Sequence, residues 1–384
     1  MKYVGLLCNC SMKRSPASQL SPSLINRGFL IDRLLKSSGI GLFLYSPRRV
    51  APPDHVPGYV IVDDELVAVA RPVPRVNANW TYGTRRLINR GMGYREFKRW
   101  ARQNEIEIYV PYSFSELVSN KRKTYEVVKE FDADLHPHTE DYGAGSAQIE
   151  SFLDRGPVVF IKPRAGNRGN RIIVLREKSE GLFLKYYDQG GQRVFGPVTL
   201  ETAAGIIDVA ASERAYVIQE GIDSFRYNDS VFDIRVVMVN DGVRWHSILE
   251  TRLAQSGSDV SNVYQGGSIH VTEDLLSELF GEQGARETEL EIRRVSVSLA
   301  RYFEASYPSD LMEIGLDFIL DLDKKLHLVE VNAKPGIAGF GSEKSLFEWN
   351  SEDDPDCARW VHPHTRHLAG FLKRKVEGLG LSEI

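Results

Sequence analysis

Short apolar runs separated by glycine, proline and charged residues recur through the first third of the chain. Runs of this kind predict strands at residues 3–7, 41–45, 59–62, 66–71 and 106–110. The acidic residues 63–65 lie between two of these runs, as in a hairpin. Helical spacing follows at 84–103 and 121–131. Ser113 and Glu116 have capping-box spacing, which predicts another helix beginning near residue 114.

The remaining chain alternates strands and glycine-containing turns, with one long helical stretch. The predicted strands are 158–162, 172–176, 182–187, 215–219, 233–239 and 245–251. Acidic residues open a predicted helix at 287–303, where the helix dipole favours them. The runs 312–320 and 326–331 form the last predicted hairpin.

Length and composition narrow the class of protein. A chain of 384 residues predicts two or three domains, and 42% hydrophobic with 26% charged residues excludes a largely disordered chain. The apolar runs are too short to span a bilayer, and the first is followed by Asn9, Lys13 and Arg14, which indicates a strand and not a signal peptide. Three cysteines cannot form a disulfide framework, so we expect a cytoplasmic protein.

Charge is distributed unevenly along the chain. Residues 1–125 contain 20 Lys and Arg against 9 Asp and Glu, whereas residues 126–384 contain 28 against 43. Between residues 85 and 102, seven basic residues accompany a single acid, Glu96. Such a cluster could bind an anionic substrate or nucleic acid, but a solvated helix face or a contact with the acidic part explains it equally simply. No groove-binding motif accompanies it, so we expect no nucleic-acid partner and no membrane partner.

The last predicted hairpin brings oxygen-bearing side chains together. Glu330 and Asn332 are two residues apart on one strand, so both side chains point to one face. A two-residue turn at 323–324 would place Asp317 opposite Glu330. Opposed carboxylates repel, and oxygen ligands favour Mg²⁺ or Mn²⁺. An exposed polar face without a metal is the alternative.

A lysine and two glycines lie between two other predicted strands. Lys162 ends one strand, and Gly166 and Gly169 lie in the turn that follows. Glycines let backbone N–H groups approach phosphate oxygens, which the lysine could also reach. The turn has neither Walker A nor Rossmann spacing, so by itself it could equally be a plain hairpin turn.

These motifs, in this order over about residues 115–340, resemble the ATP-grasp superfamily. The segments 232–235, 266–267, 313–317 and 330–336 are most similar to the bacterial spore-coat-associated, YheC/YheD-like ATP-grasp family. The resemblance implies an α+β fold in which two α+β lobes hold a nucleotide, preceded by a smaller α/β N-terminal domain. The implied boundaries are 1–113 for the N-terminal domain, 114–215 for the first lobe, 216–345 for the second lobe with the metal site, and 346–384 for a tail packing on the core.

The resemblance also implies a role for each matching residue. Lys121 and Lys162 match phosphate-binding lysines, and Gly166 and Gly169 match the phosphate loop. Gln219, Glu220 and Ile222 match the segment that meets adenine, and Asp233 matches a carboxylate that holds the ribose. Asp317, Glu330 and Asn332 match ligands of Mg²⁺ or Mn²⁺. Arg252, together with Lys162 and Asn332, matches groups near the transferred phosphate, and Asn262 with Gly266 and Gly267 matches the substrate side.

The activity implied by the resemblance is ATP-dependent ligation of a carboxylate to an amine, or to a thiol, through an acyl phosphate. Its partners would be ATP, a small carboxylate and an amine-bearing acceptor, and it would be cytoplasmic or spore-associated. A kinase acting on a hydroxyl and a non-catalytic nucleotide-binding spore protein are the alternatives. Two positions depart from the family: Asn120 replaces an aspartate, and Arg171 replaces a glycine that would tolerate positive φ.

Histidine and cysteine motifs elsewhere have simpler explanations. The His-Pro-His segments at 136–138 and 362–364 suggest zinc, but surface turns of this composition are common. Cys8 and Cys10 are too closely spaced for the usual zinc knuckle, and Cys8 ends a predicted strand, so we expect a buried free thiol.

Overall fold

The computed structural model describes most of the chain in eleven segments. These are residues 2–8, 22–46, 55–63, 65–79, 94–109, 112–166, 170–188, 191–261, 266–307, 311–335 and 355–379. Gly169, Asn262, Cys10 and residues 85–93 of the basic cluster lie outside them, so the predictions made for those residues stay predictions.

The N-terminal sheet contains six strands. These are β1 (Lys2–Leu7), β2 (Ile40–Tyr45), β3 (Val56–Val62), β4 (Glu65–Arg71), β5 (Val76–Asn79) and β6 (Glu107–Tyr109). Their order is β4-β3-β2-β1-β5-β6. The pairs β2-β1, β1-β5 and β5-β6 are parallel, and the pairs β4-β3 and β3-β2 are antiparallel. Helix α1 (Pro22–Lys36) joins the parallel pair β1 and β2 and packs on β2, and α2 (Tyr94–Gln103) precedes β6. Cys8 is a buried cysteine outside any disulfide, as predicted.

The first-lobe sheet is antiparallel and follows two helices, α3 (Tyr112–Val118) and α4 (Lys121–Phe131). Its strands are β7 (Thr139–Asp141), β8 (Val158–Pro163), β9 (Ile172–Lys178), β10 (Gly181–Asp188), β11 (Gly191–Val198) and β12 (Tyr216–Glu220). They lie in the order β11-β10-β9-β8-β12-β7. Helices α5 (Ser146–Leu153) and α6 (Leu200–Ala211) cover one face through apolar contacts. Alternation along β8 and β9 therefore directs Phe160, Lys162 and Val174 to the opposite face.

The second-lobe sheet contains the remaining strands. These are β13 (Arg226–Tyr227), β14 (Ser230–Asn240), β15 (Trp245–Leu253), β16 (Ser268–His270), β17 (Glu313–Leu320) and β18 (Leu326–Asn332). Five of them form the order β16-β15-β14-β17-β18, and β13 pairs with β14. Helix α7 (Thr272–Ser306) packs over one face, where Phe303 also contacts Phe114 of α3. The α+β class predicted from the sequence is confirmed.

The C-terminal helix α8 (Pro355–Gly378) packs against both the N-terminal sheet and the second-lobe sheet. Leu368, Phe371 and Leu372 are buried in one apolar cluster with α1, the N-terminal sheet and the end of β14. Burial of about 25 cal/mol per Å² of apolar surface makes such a contact a substantial stabilising term. No helix among the described residues combines the length and apolar character needed to cross a membrane.

Helix α7 and the last hairpin differ from their predicted bounds. Helix α7 begins at Thr272 and not near residue 287, and the early part was missed because Gly281, with φ of 73°, interrupts the helical pattern. The last hairpin has a five-residue connection, 321–325, between paired Leu320 and Leu326 and not the two-residue turn predicted at 323–324. A register shift between Asp317 and Phe318 compensates, so Asp317 still lies opposite Glu330.

Candidate functional site

Four charged side chains form a row across the second-lobe sheet. Glu250 of β15 lies opposite Arg235 of β14, Arg235 lies opposite Asp317 of β17, and Asp317 lies opposite Glu330 of β18. Residues directly opposite in an antiparallel sheet share a face, so all four lie on one face. The sheet thus carries an acid–base–acid–acid row.

Asp317 is the most strongly held member of this row. Its carboxylate accepts two hydrogen bonds of 2.7 Å from Arg235 and lies 3.0 Å from Arg252 Nη2. Its side chain is only 1% exposed. Burial alone would raise the pKa of Asp317, but the charges of Arg235 and Arg252 dominate together and lower it to about 2. Asp317 is therefore ionised at neutral pH although it is buried.

The three predicted metal ligands are brought together. Asn332 donates from Nδ2 to Asp317 Oδ2 at 3.3 Å, which leaves its carbonyl oxygen free to face a ligand. Glu330 makes no hydrogen bond or ion pair with any described residue. Gly315 lies opposite Asn332, and a Cβ there would lie 2.9 Å from the Cβ of Pro335 and 3.2 Å from that of Asn332. Glycine therefore leaves room for the amide.

This donor set fits a hard divalent cation. Two carboxylates and a carboxamide supply only oxygen, the ligand type that Mg²⁺ and Mn²⁺ prefer. Asp317 Oδ2 receives Arg235, Arg252 and Asn332, whereas Oδ1 receives only Arg235 among the described residues and so retains a lone pair for the ion. Asp317, Glu330 and Asn332 would therefore hold the ion.

Arg252 links this site to Asp233. Its guanidinium donates to both Asp233 oxygens, at 2.6 and 2.7 Å, while also approaching Asp317. Ser261 donates a further hydrogen bond to Asp233 Oδ2. Asp233 was predicted to hold ribose hydroxyls, and in this arrangement a ribose would have to share the carboxylate with Arg252.

Two lysines of the first lobe lie beside the glycine loop. Lys162 Nζ donates to Gln219 Oε1 at 2.5 Å, and Gln219 donates in turn to Thr139 Oγ1 at 2.9 Å. Lys121 Nζ donates to the carbonyl of Gly166 at 3.0 Å. Burial, with a contribution from Lys121, lowers the pKa of Lys162 to about 8, while Glu330 of the second lobe acts in the opposite direction. The charges of Lys121 and of Glu330, a predicted metal ligand, therefore both act on Lys162.

The glycine loop returns to the sheet through Arg171, whose φ is +61°. The resembling family has a glycine at this position, which suggested a positive φ because glycine tolerates it. The structure confirms that the backbone here is left-handed. The Arg171 N–H donates to Tyr187 O at 2.6 Å, so the strained conformation is held by the neighbouring strand. Asn120 is the other position that departs from the family. It caps α4, because its side chain accepts a hydrogen bond from the Lys123 N–H.

The segment predicted to meet adenine follows β12. The N–H of Glu220 donates to His138 O, and that of Gly221 donates to Val158 O. The next N–H, that of Ile222, donates to no described residue. Ile222 therefore offers a free backbone donor at the predicted adenine edge, whereas the side chain of Gln219 is directed at Lys162.

Sequence reasoning missed Arg235, Glu250 and Ser261 as parts of this site. Arg235 and Glu250 alternate with Asp233 and Arg252 along β14 and β15, so period-two spacing could have placed them on the same face. Glu250 is 3% exposed, and its Oε2 has no partner. Burial, opposed by Arg235 and Arg252, raises the pKa of Glu250 to about 7.

A second group of metal-binding side chains lies elsewhere. Asp241, His246 and His367 have ligand atoms within 4.8 Å of one another. The two imidazoles are stacked, with ring centroids 3.6 Å apart, and Asp241 lies 3.3 Å from Arg374. Parallel stacked rings do not aim their in-plane lone pairs at one ion, and Arg374 adds repulsion. His364 of the second His-Pro-His segment instead pairs with buried Glu313 at 3.2 Å.

Comparison with known proteins finds similar sequences and a shared fold. A family profile described as YheC/D-like ATP-grasp matches residues 112–351. The endospore coat-associated protein YheD of Bacillus subtilis (strain 168) is 22% identical over 223 residues, which cover 56% of this chain and 44% of that protein. The chain thus spans about half the length of the curated relatives it matches.

Two solved structures share the fold over nearly the whole chain. A Chryseobacterium gregarium RiPP-associated ATP-grasp ligase, in complex with ADP and a leader and core peptide, has a TM-score of 0.50 at 11% identity, covering 98% of this chain and 97% of that one. The D-cycloserine synthetase DcsG has a TM-score of 0.50 at 13% identity, covering 96% and 99%. At these identities the similarity shows the fold alone.

Replacing Arg171 tests the left-handed position. We expect Arg171→Gly to have a higher free energy of unfolding than Arg171→Ala by about 1 kcal/mol, because only glycine relieves the positive φ. Both variants lose the same partly buried side chain and its 3.7 Å ion pair with Glu213, so alanine is the matched control. Denaturant unfolding measures the difference, and equal stability would contradict the proposed strain.

Replacing Glu250 tests its raised pKa. The folded state keeps the Glu250 proton to a pH of about 7, whereas the unfolded state loses it near 4.5, so this carboxyl destabilises the fold as pH rises between these values. We expect the free energy of unfolding of Glu250→Gln, relative to the parent, to increase by roughly 2–3 kcal/mol from pH 5 to pH 8. The raised pKa is refuted if, in EDTA, the difference in free energy of unfolding between Glu250→Gln and the parent does not change with pH. Glu150→Gln, at an exposed position, is the control.

Proposed function

The chain belongs to the YheC/D-like ATP-grasp family, and from that premise we propose that it is an ATP-dependent ligase that joins a carboxylate to an amine. The proposed reaction passes through an acyl phosphate and releases ADP and phosphate. The observation that carries it is the placement of Asp317, Glu330 and Asn332 together on one hairpin of the second lobe, with Lys162 of the first lobe near enough for the charge of Glu330 to act on its pKa. This arrangement supports a site in which the lysines proposed to bind phosphate lie near the proposed oxygen ligands of a metal ion.

Each charged group has a task in this proposal. Lys121 and Lys162 bind phosphate oxygens from the first lobe, and the free N–H of Ile222 orients the adenine. Arg252 lies between Asp233 and Asp317 and stabilises negative charge on the transferred phosphoryl group. A cation held by Asp317, Glu330 and Asn332 would neutralise phosphate charge when bound.

The carboxylate acceptor is proposed from the family resemblance, and the site supplies the charges for phosphoryl transfer. A carboxylate oxygen attacks the γ-phosphorus of ATP, ADP leaves, and the amine then displaces phosphate from the acyl carbon. Arg235 and Arg252 remain charged throughout, because their carboxylate partners hold the pKa of each above its ordinary value. Positioning and fixed charge thus suffice, and the proposal requires no covalent enzyme intermediate.

Nucleotide affinity tests the role of the first-lobe lysine. We expect Lys162→Met to weaken Mg-ADP binding by about tenfold or more, because a charged hydrogen bond to phosphate contributes roughly 1.5–3 kcal/mol. Isothermal titration calorimetry measures this, with exposed Lys129→Met on α4 as the control. Unchanged affinity in Lys162→Met would remove the lysine from the nucleotide site.

Trapping of the intermediate tests the reaction class. We expect the protein, incubated with Mg-ATP, hydroxylamine and a panel of amino acids and small dicarboxylates, to form a hydroxamate and one equivalent of ADP with its substrate. Mass spectrometry identifies the hydroxamate. A stable phosphorylated hydroxyl product would indicate a kinase instead, and nucleotide binding without turnover across the panel would favour the non-catalytic role.

A further inference from the structure

A cavity of about 350 Å³ lies between the lobes and contains none of the residues proposed to bind nucleotide or metal. Strands β9, β10 and β11 of the first lobe form its floor. Arg226 of β13 and the segment 257–259 after β15, both from the second lobe, form its other side. The ligase proposal leaves this cavity without a function.

The cavity is strongly basic. Arg176, Lys178, Lys185 and Arg226 line it, and Asp259 is its single acidic residue. Four cations against one carboxylate attract an anion and repel a cation. This excess lies within the part of the chain that is acidic overall, so it is a local feature.

Asp259 shows how the cavity holds a carboxylate. Its oxygens lie 3.1 Å from Arg176 Nη2 and 2.8 Å from Lys185 Nζ, and Tyr187 donates its hydroxyl at 3.2 Å. The Asp259 side chain is 8% exposed. Two cations and a hydroxyl from the first lobe therefore already bind a carboxylate that the second lobe supplies.

The other two cations are not engaged in this way. Among the described residues, neither Lys178 nor Arg226 forms an ion pair with a carboxylate. Lys178 Nζ lies 4.8 Å from the centre of the Phe183 ring, and Arg226 donates to the carbonyl of Asp229 at 3.1 Å. The cavity can thus accept at least one further anionic group.

The surroundings favour a peptide over a small ion. Val174, Phe183 and Val194 line the cavity, and Val194 is 57% exposed, so aliphatic stems of acidic side chains could pack there. β11 is the edge strand of its sheet, and its residues from Gly191 to Pro197 are exposed. An edge strand offers backbone N–H and C=O groups that pair with an extended peptide but not with a phosphodiester chain.

We propose that this cavity and the edge of β11 form a docking site for an extended acidic peptide. Carboxylates on one face of the peptide would contact Lys178 and Arg226, and its backbone would pair with β11. The site is separate from the proposed nucleotide site, so its occupancy does not depend on the ligase activity.

Fluorescence anisotropy of a labelled peptide of alternating glutamate and threonine tests this site on the full chain. We expect binding at about 50 mM salt that weakens as salt screens the charges. Lys178→Ala with Arg226→Ala should weaken it by about fivefold to tenfold. The control double variant, Arg155→Ala with Arg301→Ala, removes the same charge from exposed positions elsewhere and should leave affinity unchanged.

A gain-of-binding variant adds a readout that general charge effects would not give. Asp259→Asn removes the internal carboxylate that competes for Arg176 and Lys185, so it should increase peptide affinity by more than Asp241→Asn. The proposal is overturned if the wild-type chain does not bind the peptide, if a glutamine–threonine peptide binds equally well, or if both double variants weaken binding equally. Tighter binding of a single-stranded oligonucleotide would assign the cavity to nucleic acid instead.

Discussion

The second lobe depends on the neutralisation of buried acids by two arginines. Asp233 and Asp317 lie on adjacent strands, and Arg252 contacts both carboxylates while Arg235 binds Asp317 through two hydrogen bonds. Burying either carboxylate alone would cost several kcal/mol, so the pairs are a condition for placing acids inside this sheet. Because each arginine is fixed by its carboxylate, the row presents charges in defined positions to any ligand bound above it.

The same row explains why the site needs both lobes. Glu330 and Asn332 complete the oxygen-rich edge of the second lobe, but the cations that would bind phosphates, Lys121 and Lys162, come from the first. Neither lobe alone combines the proposed metal ligands with the lysines proposed to bind phosphate. The segment after β15 connects the two, since Ser261 contacts Asp233 and Asp259 contacts Arg176. Movement between the lobes would therefore alter the two sites together.

Much of this arrangement could be predicted from short-range pattern. Period-two spacing placed Glu330 and Asn332 on one face, and the hairpin placed Asp317 opposite Glu330, although the turn was longer than expected. The positive φ at Arg171 followed from the glycine that the family has there. The edge strand β11 and the start of α7 were missed, because exposed strands and helices interrupted by glycine carry weak periodic signals.

The sequence by itself determined the chemistry available: strands of known alternation, a lysine before a glycine loop, and three oxygen-bearing side chains on one hairpin. The tertiary structure decided which charges meet. Strand order within the sheet put Arg235 between Glu250 and Asp317, and packing of the lobes brought four cations and Asp259 into the lining of one cavity. Side chains distant in sequence interact only after backbone pairing and apolar burial have set their separation, and no local pattern encodes that distance.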